Sequence, residues 1–174
     1  GLIGPFTTGS AGASRAHNQI ASNIVRVLGN QLVDRPCSVF TSDMKVAIKE
    51  ANTYTYPDIL IVCDEERFED AHSDVLLNPL VIIEILSNST EAYDRGDKFA
   101  HYQLLGSLME YLLVSQHTCR VERFVRGDDS AWIYHKYEGA DQIAPIASAG
   151  CQLPLLEVYR RVDICAGKGE QVTI

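Results

Sequence analysis

Two carboxylates stand inside apolar runs of the kind that form buried strands. The runs are Pro57-Asp58-Ile59-Leu60-Ile61-Val62-Cys63 and Leu80-Val81-Ile82-Ile83-Glu84-Ile85-Leu86. Both are short, rich in β-branched residues and bounded by strand-breaking residues. Desolvating an ionised acid is costly unless a cation or hydrogen-bond donors compensate it, and two neighbouring acids repel each other unless one is protonated or a metal binds between them. The pattern therefore indicates either a metal site or a bland alternative, in which Asp58 starts a turn and Glu84 pairs with an arginine.

A lysine near these acids would complete a site for metal-dependent hydrolysis. Side chains alternate along a strand, so residue 86 shares a face with Glu84, but residue 86 is Leu. The nearest replacement is Lys98, which lies on one helical stripe with Tyr102 and Leu105. Lys98 either points back toward the sheet, where it could activate water or stabilise developing charge, or extends to solvent from the edge of the stripe.

Other catalytic and metal-binding motifs are absent from the sequence. The five cysteines include no C-x-x-C pair, and the five histidines form no H-E-x-x-H motif, so neither a disulfide framework nor a zinc site is expected. The cysteines are predicted to be reduced and partly buried. No nucleophile elbow, P-loop or dinucleotide-binding glycine motif occurs.

Composition favours a single globular domain that does not bind nucleic acid broadly by charge. The chain has 174 residues, is 46% hydrophobic and carries a formal charge of −8. Arg120, Arg123 and Arg126 form either a local basic stripe or a solvated strand face. No membrane-spanning run or signal segment is evident, so we expect a cytoplasmic protein without a membrane partner.

The predicted elements alternate between helices and strands. Residues 1–12 are an extended lead-in, native or in part a cloning remnant, and Ser14 caps a first helix. His17 lies on the apolar stripe of that helix with Ile20 and Ile24, as a site residue or as a hydrogen-bonded core residue. Residues 65–78 are predicted to be a surface excursion. Further strands are predicted within 37–48 and at 111–114, 119–125 and 132–137. A second helix is predicted from 87–91 to about 106, with Asp94, Arg95 and Asp97 exposed. A last helix is predicted over 155–162.

Five segments follow one another in a recognisable order. They are Ala13 to Asn18, Tyr56-Pro57-Asp58, Asn78-Pro79 through Ser87, Ser89 to Tyr102, and Glu110-Tyr111. Together they resemble the Uma-type restriction endonuclease family of the PD-(D/E)xK nuclease superfamily. The resemblance extends from about residue 13 to residue 162.

The resemblance implies a fold, an activity and a set of site residues. The fold is α/β (α+β), a restriction-endonuclease-like mixed β-sheet flanked by helices, within a single domain of residues 13–174. The activity is hydrolysis of DNA phosphodiester bonds with Mg²⁺, or Mn²⁺ in its place. Asp58 and Glu84 match the acids that ligate the metal, with the Ile85 backbone carbonyl as a third ligand. Lys98 matches the lysine that orients or deprotonates the attacking water.

Three further residues and two partners complete the expected site. His17, Asp43 and Tyr102 are the candidates for side chains that support the metal ligands. The expected partners are DNA and a second copy of the chain, because proteins of this fold commonly act as dimers.

The sequence departs from the family at its N-terminal end. The family usually has a Gly-Glu pair just before the Ala13 segment, whereas residues 1–12 contain no carboxylate. The alternative function is therefore a catalytically impaired nuclease-fold domain that binds DNA or protein.

Overall fold

Four α-helices and eleven β-strands make up the part of the chain described by this computed structural model, residues 13–165. The predicted lead-in, residues 1–12, and the end of the predicted domain, residues 166–174, lie outside the described residues. The helices are α1 (Arg15–Leu32), α2 (Glu91–Arg95), α3 (Asp97–Tyr102) and α4 (Leu155–Val158). The strands are β1 (Cys37–Thr41), β2 (Lys45–Ile48), β3 (Thr53–Thr55), β4 (Ile59–Cys63), β5 (Val75–Leu76), β6 (Val81–Leu86), β7 (Glu110–Ser115), β8 (Arg120–Arg126), β9 (Trp132–Glu138), β10 (Ile143–Ile146) and β11 (Cys151–Pro154).

A six-stranded mixed sheet forms the centre of the fold, with the order β1-β4-β6-β7-β8-β9. Its central pair, β6 and β7, is parallel, and its other neighbours are antiparallel. A three-stranded sheet, β3-β2-β5, and the hairpin β10-β11 stand beside it. The predicted fold class, a mixed sheet with flanking helices, is confirmed.

Two apolar cores lie on opposite faces of the central sheet because side chains alternate along β6. Ile83 and Ile85 belong to the core that contains α1. Ile82 and Leu86 belong to the core that contains α3. Glu84 shares the face of Ile82 and Leu86, so its carboxylate is directed toward α3 and away from the body of α1.

Several elements differ from the sequence-based predictions. Gly96, with φ −101° and ψ −96°, interrupts the helix predicted to run to about residue 106, which gives α2 and α3. The predicted last helix ends at Val158, and Arg161 beyond it adopts φ +64°. The predicted surface excursion contains β5, whose Val75 and Leu76 are buried. No helix within residues 13–165 is long and apolar enough to cross a membrane.

Four of the five cysteines form disulfides, so the prediction of reduced cysteines is wrong. Cys37 and Cys63 are direct partners in the antiparallel pairing of β1 with β4 and are bonded to each other. Cys119 is bonded to Cys165, 46 residues away in sequence. Cys151 is free and buried. The spacing of the cysteines in the sequence did not predict either bond, because the bonded cysteines lie far apart in sequence and meet only in the folded chain.

The disulfides predict a thiol count. Protein purified without reductant and unfolded in guanidinium chloride should titrate with one thiol per chain, that of Cys151, and with five after full reduction. A Cys151→Ser variant is the control and should show none before reduction. Five thiols before reduction would contradict the disulfide assignment.

Candidate active site

Asp58 lies where the pairing of β4 with β6 ends. Continuing the register Ile59↔Ile83 by two residues places Pro57 opposite Ile85, and proline has no N–H to donate. The Ile85 carbonyl therefore has no ladder donor from Pro57, and the Ile85 N–H donates to Asp58 Oδ2 at 2.8 Å. Because the N–H and C=O of a strand residue face the same side, the Ile85 carbonyl is directed toward the same gap. Pro57 therefore leaves this carbonyl without a ladder donor on the side where Asp58 lies.

His17 approaches Asp58 from the first turn of α1. The Ser14 side chain accepts the His17 N–H at 3.1 Å and so fixes the start of the helix. His17 Nε2 lies 3.3 Å from Asp58 Oδ1. Burial raises the pKa of Asp58, but the hydrogen bonds from His17 and the Ile85 N–H outweigh burial, so the pKa is lowered overall. Asp58 is therefore a carboxylate at neutral pH.

Glu84 is a buried carboxyl in the middle of β6. Lys98 Nζ lies 2.8 Å from Glu84 Oε1, and the Tyr102 hydroxyl donates to the same oxygen at 3.0 Å. Burial raises the pKa of Glu84 to about 8, although the Lys98 charge opposes the rise. The Asp58 charge raises it further. Since both donors share Oε1, Oε2 is the oxygen that a further ligand would use.

Lys98 reaches Glu84 from α3 and also contacts a second acid. Its Nζ lies 3.4 Å from Asp94 Oδ1, one helical turn earlier. Burial lowers the pKa of Lys98, but the neighbouring acids Glu84, Asp94 and Asp58 together outweigh burial, so the pKa is raised overall. The sequence-based prediction that Asp94 is exposed is wrong, because its side chain is only 4% exposed. Its spacing of four residues from Lys98 was the signal that could have identified it.

A cavity of about 1030 Å³ opens onto these groups. Ser14, His17, Asp58, Glu84, Asp94 and Lys98 are among the residues that line it. Tyr102, another predicted residue, does not line the cavity but contacts the cluster through its hydrogen bond to Glu84. Asp43 is not brought to the site, since it lies in the exposed turn between β1 and β2 and is not a lining residue.

The oxygen atoms of this cluster fit a small, hard cation. Glu84 and Asp94 share the ammonium of Lys98, and Asp58 adds a third acid nearby, so negative charge is in excess whenever all three acids are ionised. Residues 13–165 contain no group of three or more His, Cys, Asp or Glu side chains arranged to hold a metal. Mg²⁺ is commonly held by one or two carboxylates, with water and substrate phosphate completing its shell. Asp58, Glu84 and the Ile85 carbonyl fit that smaller requirement.

Two of the three arginines of β8, Arg123 and Arg126, form neither the basic stripe nor the solvated face that the sequence left as alternatives. Arg123 is buried and paired with Glu110 at 2.5 Å. Arg126 donates to the backbone carbonyl of Leu108 at 2.7 Å and its guanidinium stacks on the Trp132 ring. Both side chains are therefore occupied by contacts within the fold.

Three comparisons place the chain among known proteins. The Uma2 family profile, described as "Putative restriction endonuclease", matches residues 8–156. The uncharacterized protein sll1609 of Synechocystis sp. is 36% identical over 129 residues, which cover 74% of this chain and 73% of the relative. The uncharacterized protein slr1290 of the same organism is 32% identical over 149 residues, with coverages of 86% and 77%.

A solved structure shares the fold. The crystal structure of a "putative nuclease belonging to DUF820" from Anabaena variabilis matches with a TM-score of 0.71 and 17% identity. The match covers 84% of this chain and 82% of that chain. At this identity the likeness shows a shared fold.

The raised pKa of Glu84 predicts how stability changes with pH when no metal is present. Folded Glu84 keeps its proton up to about pH 8, whereas unfolded Glu84 ionises near 4.5. The folded chain therefore binds more protons between these values, and the free energy of unfolding should fall as pH rises through this window. In EDTA, urea denaturation at pH 5.5 and pH 8 should show a loss of roughly 1 to 3 kcal/mol that Glu84→Gln largely removes.

The matched control is Glu157→Gln, a replacement of the same kind at a surface carboxylate whose pKa is lowered to about 2 by its Arg160 and Arg26 partners. This variant should keep the pH dependence of the parent chain. Equal pH dependence in the parent chain and Glu84→Gln would contradict the raised pKa.

Proposed function

Because the chain belongs to the Uma2 restriction endonuclease family, we propose that it is a Mg²⁺-dependent endonuclease that hydrolyses phosphodiester bonds in DNA. Mn²⁺ would serve in place of Mg²⁺. The observation that carries the proposal is the convergence of Asp58, Glu84 and Lys98 at one open cavity. A lysine against a buried acid, beside a second acid, is the arrangement that metal-assisted hydrolysis needs.

The proposed metal ligands are one oxygen each from Asp58 and Glu84 and the Ile85 carbonyl. A bound Mg²⁺ would polarise the phosphodiester and lower the pKa of water. Asp58 is prepared for this role because His17 and the Ile85 N–H orient its two oxygens. Glu84 is prepared because Tyr102 and Lys98 hold Oε1 and leave Oε2 toward the ligand.

Lys98 acts in this proposal as an ammonium group. Glu84, Asp94 and Asp58 together raise the pKa of Lys98 above its ordinary value even though burial opposes this. A protonated amine donates hydrogen bonds, so Lys98 can orient the attacking water and stabilise negative charge that develops on the phosphate. Of the two roles implied for the family's lysine, orientation is the one that these contacts favour.

A homodimer belongs to the same proposal. β9 lies at an edge of the central sheet, where Ile133 and Tyr134 are 52% and 48% exposed. An edge strand offers backbone groups that can pair with a second copy. Two copies would present two active sites to the two strands of a duplex.

Plasmid nicking tests the proposal. Purified protein should convert supercoiled plasmid to open circles in millimolar Mg²⁺ and should not do so in EDTA. Asp58→Asn removes a proposed ligand charge, and Lys98→Ala removes the ammonium, so each should lower the nicking rate by about 100-fold or more. Gel densitometry over time gives the rates.

The matched control is Asp97→Asn, which makes the same chemical change at an exposed acid in α3. It should nick at the parental rate. Nicking that survives Asp58→Asn or Lys98→Ala would contradict the proposed roles. DNA binding that is indifferent to EDTA, without any nicking, would favour the alternative of a catalytically impaired binding domain.

A further inference from the structure

A second cavity adjoins the candidate active site along α1. It has a volume of about 290 Å³ and is lined by Gln19, Ser22, Asn23, Arg26, Arg160 and Arg161. Ser22 and Arg26 line both this cavity and the active-site cavity. The two depressions are therefore parts of one continuous surface that follows α1.

The turn after α4 carries two adjacent arginines and is held firmly by α1. The buried Asn23 side chain donates to the carbonyls of Val158 and Arg160 at 2.9 and 2.7 Å. Arg15 Nη1 donates to the Arg161 carbonyl at 3.1 Å. Arg161 has φ +64°, a left-handed conformation that a residue with a side chain keeps only when its surroundings fix it. Asn23 and Arg15 supply that constraint and so hold the positions of Arg160 and Arg161.

The exposed surface around this turn is basic, in contrast to the chain as a whole. Arg15, Arg26, Arg160 and Arg161 are all exposed, while the full chain has a formal charge of −8. Glu157 faces this group and pairs with Arg26 at 3.0 Å and with Arg160 at 2.5 Å. Asp163 is a further exposed acid two residues beyond Arg161. The arginines therefore remain in excess, and a surface with this excess suits an external anion.

The geometry points to the phosphate backbone of DNA as that anion. We propose that Arg15, Arg26, Arg160 and Arg161, here called the arginine cluster, bind the backbone of the strand that enters the active-site cavity along α1. Arginine forks match phosphate oxygens, and such contacts position a strand without reading its sequence. His17 and Arg26 are nine residues apart on α1, about 13 Å, or roughly four nucleotide steps of a B-form strand. This inference rests on the proposed function, because it takes that cavity as the place of cleavage.

Fluorescence anisotropy in EDTA tests binding separately from cleavage. The probes are a fluorescein-labelled 20-base-pair duplex and one of its single strands. The variants are Arg26→Ala/Arg161→Ala, Glu157→Gln and the control Arg67→Ala, an exposed arginine outside both cavities. Arg15 is left intact because it holds the Arg161 carbonyl.

The double variant should bind the duplex about 10-fold or more weakly at 0.1 M salt. Its plot of log K against log salt should be shallower by about 2, because each lost phosphate contact changes the slope by roughly 0.9. Glu157→Gln should bind several-fold more tightly, since it removes the competing internal anion, and Arg67→Ala should bind like the parent chain. The single strand should show the same order with a smaller change in slope, about 0.7 per contact.

Parental affinity in the double variant, no gain in Glu157→Gln, or an equal loss in Arg67→Ala would each overturn the inference. Glu157→Gln keeps the test decisive if the double variant does not fold. Nicking kinetics separate the two proposals: the double variant should raise KM with kcat within about twofold. Nicking with unchanged KM overturns the arginine cluster alone, whereas cluster-dependent binding without nicking overturns the nuclease proposal alone.

Discussion

The site depends on three acids that lie close together beside Lys98 at the central sheet. Within residues 13–165, Lys98 is the one ammonium group that contacts both Glu84 and Asp94, and Asp58 adds a third carboxyl to the same neighbourhood. Glu84 keeps its proton at neutral pH, because burial raises its pKa to about 8, and so it adds no negative charge there. Asp58 stays ionised, because the hydrogen bonds from His17 and the Ile85 N–H stabilise its carboxylate. A bound divalent cation would offset the charge of these acids, and this is the physical reason for proposing a metal site here.

The backbone around the acids is as important as their charges. The pairing of β4 with β6 ends before Pro57, which has no N–H to offer the Ile85 carbonyl, and the Ile85 N–H donates to the Asp58 carboxylate. The parallel pairing of β6 with β7 and the apolar cores on both faces of the sheet hold the backbone of Glu84 in place. α1 contributes residues both to the candidate active site and to the arginine cluster. Its first turn holds Asp58 through His17, and its next turns carry Asn23 and Arg26, which organise the arginine cluster.

Local patterns in the sequence predicted the features that depend on local geometry. The alternation in β6, the helical spacing of Lys98 and Tyr102, and the cap at Ser14 need only strand and helix periodicity, and the structure has all three, although Leu105 of the predicted stripe lies beyond the end of α3. Features that depend on long-range register were missed. The Cys37–Cys63 bond requires the pairing of β1 with β4, and the burial of Arg123 requires Glu110 on the neighbouring strand. Asp94 is an intermediate case, because its spacing from Lys98 was visible but the break at Gly96 was not.

Calorimetric titration with Mg²⁺, and separately with Mn²⁺, at pH 7 tests the central claim most directly. Because Glu84 holds a proton in the metal-free chain, binding should release close to one proton, measured as a dependence of the observed heat on the ionisation enthalpy of the buffer. Glu84→Gln should abolish this release, and Asp58→Asn should weaken binding by about 10-fold or more. If a folded chain shows no binding at millimolar metal, or binds equally well after Asp58→Asn, the acids of β4 and β6 are not a metal site.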